Sequence, residues 1–147
     1  MTALKAIRRD RLVVFTNGCF DLLHTGHTTY LAQARSLGDI LVVGVNSDGS
    51  AGRLDKGPGR PIRNQQQRAE ILAALESVSL VTIFDEETPL ELISLIRPQI
   101  LVKGGDWPPE TIVGAEVVKA DGGKVLSLPY LPGESTTELL DRIRSGP

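Results

Sequence analysis

The sequence predicts an open α/β fold, a doubly wound sheet of five parallel strands with helices on both faces. Three observations carry that expectation. Continuous apolar runs recur at 12–15, 40–45, 80–84 and 100–103, as parallel strands covered on both faces require. Segments of helical periodicity alternate with them along the whole chain. A histidine pair flanking a glycine, His24-Thr25-Gly26-His27, follows the first run, where a buried strand hands over to a helix. Sheets of this kind bind anions at that edge, because the next helix presents free N–H groups and its positive dipole end.

Taken in order, 12–15 reads as the first strand. Residues 26–37 read as a helix, with Tyr30, Leu31, Ala34 and Leu37 on one face and Gly38-Asp39 closing it. Residues 40–45 are the second strand. The glycine- and proline-rich stretch 47–63 has no periodicity and reads as a loop, the one candidate for a mobile lid. Asn64 caps a helix running to about Glu76, with Ile71, Leu72 and Leu75 inward. Residues 80–84 form the third strand, and Thr88-Pro89 opens a helix that ends before Pro98. Residues 100–103 are the fourth strand, 111–120 a helix, and 124–128 the fifth strand after Asp121-Gly122-Gly123. Ser135 or Thr136 caps a last helix through Arg144. The right-handed crossover rule then makes the doubly wound sheet the natural topology.

Composition bounds the function without naming it. A length of 147 residues fits one domain over 1–147, with 1–10 as an N-terminal extension and 47–63 as a cationic lid. A net charge of −2 lacks the concentrated basic face of a nucleic-acid binder, so no nucleic-acid partner is expected. No apolar run approaches the ~20 residues of a membrane span, so no membrane partner is expected either. The basic start lacks the apolar stretch of a secretory signal. The single cysteine, Cys19, cannot form an internal disulfide and suits a reducing, cytoplasmic compartment.

Four constellations carry chemistry. His24 and His27, three apart at a helix start, place both rings on one side. Further ligands at zinc spacing are missing, so no protein-held metal is expected, and no paired acid marks a nucleophile. The role left is donating hydrogen bonds to a phosphate whose charge grows during reaction, against the plainer alternative of cap or core histidines. The second is the cationic stretch Arg53, Lys56, Arg60 and Arg63. Lys56 and Arg60 lie among Gly57, Pro58 and Gly59, and either suits a loop that closes over polyphosphate. The third is Ser135-Thr136-Thr137, hydroxyls at a helix start that make a second anion site beyond simple capping. The fourth is Lys103-Gly104-Gly105-Asp106 at the end of the fourth strand, where glycines admit a flat base or ribose. Asp21 and Asp48, each just after a strand, could face the same crevice. Trp107 is either a loop anchor or a substrate wall, and Cys19 reads as a buried filler.

With these residues in hand, the chain resembles the nucleotidyltransferase superfamily that carries a His-x-Gly-His signature on a Rossmann-like sheet. Within it, Thr16-Asn17-Gly18-Cys19-Phe20-Asp21, Val45-Asn46-Ser47-Asp48, Arg60-Pro61, Gln67-Arg68, the string at 101–106 and Ser135-Thr136-Thr137 are similar to the ADP-heptose-forming adenylyltransferase domains. The resemblance runs from about residue 11 to 144. It departs from some cytidylyltransferases, which place an arginine just before the Ser-Thr-Thr motif where this chain has Leu131-Pro132-Gly133-Glu134.

The resemblance implies transfer of AMP from ATP to D-glycero-β-D-manno-heptose 1-phosphate, giving ADP-heptose and pyrophosphate for lipopolysaccharide or another surface glycan. It implies His24, His27 and Lys56 as catalytic residues. Thr16, Asn17, Gly18, Phe20, Gly26, Lys103, Gly104, Asp106 and the three hydroxyl residues would bind ATP. Asp21, Asn46, Asp48, Arg60 and Arg68 would meet the acceptor, and Mg²⁺ would arrive with ATP. A homodimer is expected, and a separate heptose kinase to supply the sugar 1-phosphate. Two other readings stand beside it. One is another acceptor, such as glycerol 3-phosphate or phosphopantetheine, with ATP or CTP as donor. The other is a non-catalytic nucleotide-binding module on the same fold.

Overall fold

A computed structural model of the chain describes residues 1–54, 57–130 and 135–146. In chain order the elements are α1 (Thr2–Arg8), β1 (Val13–Gly18), α2 (Thr25–Ser36), β2 (Ile40–Asn46), α3 (Asp48–Arg53) and α4 (Gln65–Ala73). There follow β3 (Leu80–Phe84), α5 (Leu90–Ile96), β4 (Ile100–Gly104), a 3₁₀ turn (Pro109–Thr111), α6 (Ala115–Ala120), β5 (Lys124–Leu128) and α7 (Thr136–Ser145). The five strands form one parallel sheet in the order β3-β2-β1-β4-β5. From β1 the chain winds outward through β2 to β3, then returns to the other side of β1 for β4 and β5. The doubly wound expectation holds, and the winding reverses between β1 and β4.

Alternation along the strands divides the core between two faces. Val13 and Phe15 of β1, Ile40 and Val42 of β2 and Leu101 of β4 pack with Ile93 and Ile96 of α5 and Ala115 and Val118 of α6. Val14, Leu41, Val43, Ile100 and Val102 point the other way, onto Tyr30, Leu31 and Ala34 of α2 and Leu72 of α4. The inner strands β1, β2 and β4 thus bury both faces, which is why their sequences are largely apolar without alternation. Fully buried side chains such as Leu31 and Leu72 contribute roughly 1.5–3 kcal/mol each through removal from water.

Four elements differ from the sequence expectation. The segment 1–10 is not a bare extension, because α1 buries Leu4, and Arg8 donates to the carbonyls of Ile96 and Arg97 at the end of α5. The stretch 47–63 is not wholly loop. Ser47 caps α3 by accepting from the Ser50 N–H, and Ser50 Oγ donates to Glu86 O at 2.7 Å. The helix expected over 111–120 begins only at Ala115, because Gly114 adopts φ +89°, which interrupts the turn before it. The helix expected to be capped by Thr88 instead begins at Leu90, with Pro89 at the cap position. The capping expected at Asn64 is present as a reciprocal box with Gln67.

Candidate active site

The carboxyl ends of the strands carry a cleft of 380 Å³ built from three distant parts of the chain. Its floor is the connection from β1 to α2. After Gly18 the backbone turns sharply at Phe20, which is buried yet holds φ +51°. A bulky residue in that conformation costs on the order of 1–2 kcal/mol, so the surrounding packing must enforce it. Gly18 makes the turn possible, since a Cβ there would stand 3.0 Å from the Phe20 ring. The turn delivers His24 as the N-cap of α2, in extended backbone with φ −136°. His27 lies one turn further along. The two imidazoles stack with centroids 3.9 Å apart and planes at 26°, and Phe20 packs edge-on to His27 at 5.4 Å. Both rings line the cleft.

The opposite wall is the start of α7, where Ser135, Thr136 and Thr137 line the same cleft. Ser135 Oγ accepts from the Glu138 N–H, so plain capping accounts for that hydroxyl. Thr136 Oγ1 donates to Leu22 O at 3.1 Å and docks the helix start onto the histidine loop. The positive end of the α7 dipole therefore faces the imidazole pair across one cleft. Tyr130, Ala51, Arg60 and Pro61 complete the lining.

Asp21 sits at the cleft edge, but its carboxylate is occupied. Oδ2 accepts from Arg60 Nε at 2.8 Å, while Oδ1 accepts from the Ile62 and Arg63 N–H groups at 2.8 and 3.0 Å. Burial alone would push this carboxyl up. The two backbone N–H bonds and the adjacent Arg60 guanidinium outweigh it and hold the group below the usual 3.8. Asp21 lines the cleft, as its expected place at the acceptor requires, with both of its oxygens engaged within the protein.

Arg68 calls for a correction. Expected at the acceptor phosphate, its side chain is fully buried and lies off the cleft. Nε donates to Arg63 O, Nη1 to Cys19 O and Asn46 O, and Nη2 to Asp48 Oδ1, all at 2.8–3.0 Å. A guanidinium with four donors engaged in this way ties three loops together and has no reach to a ligand. Asn46 and Asp48 belong to the same cluster rather than to the cleft. Asn46 is buried with Nδ2 donating to Ser50 Oγ, and the Asp48 N–H donates to Gln65 Oε1.

Other expected nucleotide contacts lie behind or beside the cleft lining. Thr16 is buried and hydrogen-bonded to the Tyr30 hydroxyl, whose titration burial pushes up. Asn17 and Gly18 are the last residues of β1, and Gly26 is buried in the first turn of α2. Lys103 holds its ammonium 4.4 Å over the Trp107 ring, so Trp107 is at least a loop anchor. A Cβ on Gly104 would stand 2.5 Å from the Tyr130 hydroxyl; here the space that glycine leaves is filled by the chain's own ring. Asp106 follows in the same turn, outside the lining. Lys56 and the string 131–134 lie outside the described residues.

The residues not anticipated were Tyr130, Ala51 and Pro61; Cys19 is buried as expected and also lines the cleft. Tyr130 carried a readable signal: it follows the fifth strand by two residues, at the edge where the cleft forms.

Comparison with known proteins finds relatives over most of this chain. The curated "Bifunctional protein HldE" of Syntrophotalea carbinolica is 58% identical over 136 residues, which is 92% of this chain and 28% of that protein. The protein of the same name from Bradyrhizobium sp. is 60% identical over 133 residues, 90% of this chain and 27% of its own length. The chain thus spans little more than a quarter of these relatives. Among solved structures, the lipopolysaccharide core biosynthesis protein from Thermoplasma volcanium superposes with a TM-score of 0.66 at 27% identity, covering 84% of this chain and 99% of that one. Pantothenate synthetase from Thermus thermophilus, at 19% identity and a TM-score of 0.57 over 88% of this chain and 59% of its own, shares the fold. Residues 15–120, from within β1 through α6, match the sequence profile of one family, and the chain belongs to it: the cytidylyltransferase-like family.

Proposed function

We propose that the chain is an adenylyltransferase that moves AMP from ATP to a sugar 1-phosphate, D-glycero-β-D-manno-heptose 1-phosphate, releasing pyrophosphate. The observation that carries this reading is the stacked His24–His27 pair sharing one cleft with the N-terminal turn of α7. Two anion-binding elements on opposite walls suit a polyphosphate lying between them. The likeness to HldE proteins over most of this chain supports the choice of substrate.

The reaction is an in-line displacement. An oxygen of the acceptor's phosphate attacks the α-phosphorus, the bond from that phosphorus to the bridging oxygen breaks, and pyrophosphate leaves. The attacking monoester is already anionic, so the site needs no general base. Its work is positioning and charge stabilisation. His24 and His27 donate to the α- and β-phosphate oxygens as negative charge builds there. Thr137 and the free N–H groups of α7 hold the far phosphates, while Thr136 keeps that helix start in place. Arg60 is the described cation in the cleft and meets the acceptor's phosphate, and Lys56 would act from the same lid. Among the described residues no cluster of three His, Cys, Asp or Glu side chains is placed to hold a metal ion. Mg²⁺ fits as a cation carried by the nucleotide's own phosphates, whose charge it spreads when bound. A kinase activity supplies the sugar 1-phosphate, and the enzyme works as a cytoplasmic homodimer.

Pyrophosphate release with ATP and Mg²⁺ tests the reading, run against β- and α-heptose 1-phosphate, glycerol 3-phosphate and phosphopantetheine, with CTP in parallel. Release with ATP and the β-heptose phosphate alone is the expected result. Release with a different acceptor keeps the chemistry and replaces the substrate; silence with all of them, alongside tight ATP binding, makes the chain a binding module.

A further inference from the structure

The acidic residue of the turn before the histidines has a different task from ligand binding. Asp21 is 5% exposed, and the three groups that donate to it all come from the segment 60–63, about forty residues downstream. Two of those donors are backbone N–H groups, so the carboxylate fixes the path of the segment as well as one side chain. The third is Arg60 Nε, in a pair whose side chains are 10% and 3% exposed. An arginine bound through Nε has its fork set in direction, leaving both Nη groups to face elsewhere. Arg60 lines the cleft with His24 and His27. Arg68 reinforces the same junction from below, donating to Arg63 O on the segment and to Cys19 O in the turn.

We infer that Asp21 is a positioning residue that anchors the segment 60–63 to the histidine loop and aims the Arg60 guanidinium at the acceptor's phosphate. It acts through Arg60 and touches no substrate itself. The inference rests on the reading of the cleft as a nucleotidyltransferase site, and one arm of its test does not depend on turnover.

That test compares wild type with Asp21→Asn, Arg60→Gln and the double variant. A carboxamide cannot accept on both sides at once, so one side of the anchor opens. Amide hydrogen exchange at Ile62 and Arg63 is expected to speed up roughly tenfold or more in Asp21→Asn, as for loss of a charge-assisted hydrogen bond. The KM for the acceptor is expected to rise about tenfold in each single variant, with kcat within about threefold, and the double variant to match Arg60→Gln within about twofold, the mark of residues acting as one unit. Unchanged exchange at both amides overturns the anchor. Effects that multiply in the double variant overturn the action through Arg60. Should Asp21→Asn fail to fold, Arg60→Lys keeps the charge and the backbone anchor but loses the fork; wild-type KM in that variant overturns the aiming role. A wild-type chain silent with every acceptor discards the proposed reaction, and the exchange experiment still decides the anchor.

Discussion

His24 and His27 are the plainest case of a residue whose setting defines its chemistry. The loop gives them one orientation, stacked against each other and backed by Phe20, in a cleft whose lining also includes Arg60, Tyr130 and the hydroxyl residues Ser135, Thr136 and Thr137. Removing one donor to a developing charge typically costs ~10²–10³ in rate, so His27→Ala is expected to lower kcat by that amount. Its thermal midpoint should stay close to wild type, and full turnover in that variant would discard the assignment. Asp21 makes a prediction of its own about acid. Its carboxyl titrates below the ordinary 3.8 in the folded protein, held there against burial by the Arg63 and Ile62 N–H groups and by Arg60. A depressed carboxyl stabilises the fold fully above that ordinary value and loses the contribution as pH falls through the lower, folded one. Denaturation midpoints from pH 6 down to pH 2 should therefore fall less steeply for Asp21→Asn than for wild type. Equal slopes would mean that the carboxylate contributes nothing to the fold.

Elements show where the sequence was readable and where it was not. Four strands were legible as apolar runs, and β5, Lys-Val-Leu-Ser-Leu, was legible from the Asp121-Gly122-Gly123 turn before it. The helices α1 and α3 were not. One buried leucine and an arginine on another helix's end hold α1, which leaves too little periodicity to see. The sequence of α3, Asp-Gly-Ser-Ala-Gly-Arg, has poor intrinsic helix propensity, and bonds from Ser50 and Arg53 to the carbonyls of Glu86 and Asp85 sustain it. In the site, the histidines and hydroxyls were legible because strand ends and helix starts are. The burial of Arg68 was not, since it depends on carbonyls up to 49 residues away. Two glycines make the element-scale prediction. A Cβ on Gly123 would stand 2.6 Å from the backbone oxygen of Gln99, whereas one on Gly52, inside α3, would meet nothing within 4 Å. Chemical denaturation should find Gly123→Ala destabilised by about 1–3 kcal/mol. Gly52→Ala should gain roughly 0.5–1 kcal/mol. A destabilised Gly52→Ala would show that α3 needs its glycine for something other than helix formation.

At the scale of the whole molecule, the strand order decides where the site can be. The chain reverses its winding between β1 and β4, and such switch points are where open sheets leave a crevice. Because the cleft joins the histidine loop to α3, the lid segment and α7, a ligand that fills it fastens those parts together. ATP with Mg²⁺ at about a hundred times its Kd should add ~2.7 kcal/mol of stability by mass action. For a chain of this size that raises the thermal midpoint by roughly 5–10 °C in calorimetry. No shift would remove the nucleotide from the cleft. The bond from Thr136 to Leu22 spans 114 residues and docks one wall of the cleft onto the other. On a ribosome adding about 5–20 residues per second, the histidine loop would wait on the order of ten seconds before its partner helix is even synthesised. Throughout that interval the nascent chain has the histidines but no cleft, so the newly made protein becomes competent for ligand only when α7 arrives.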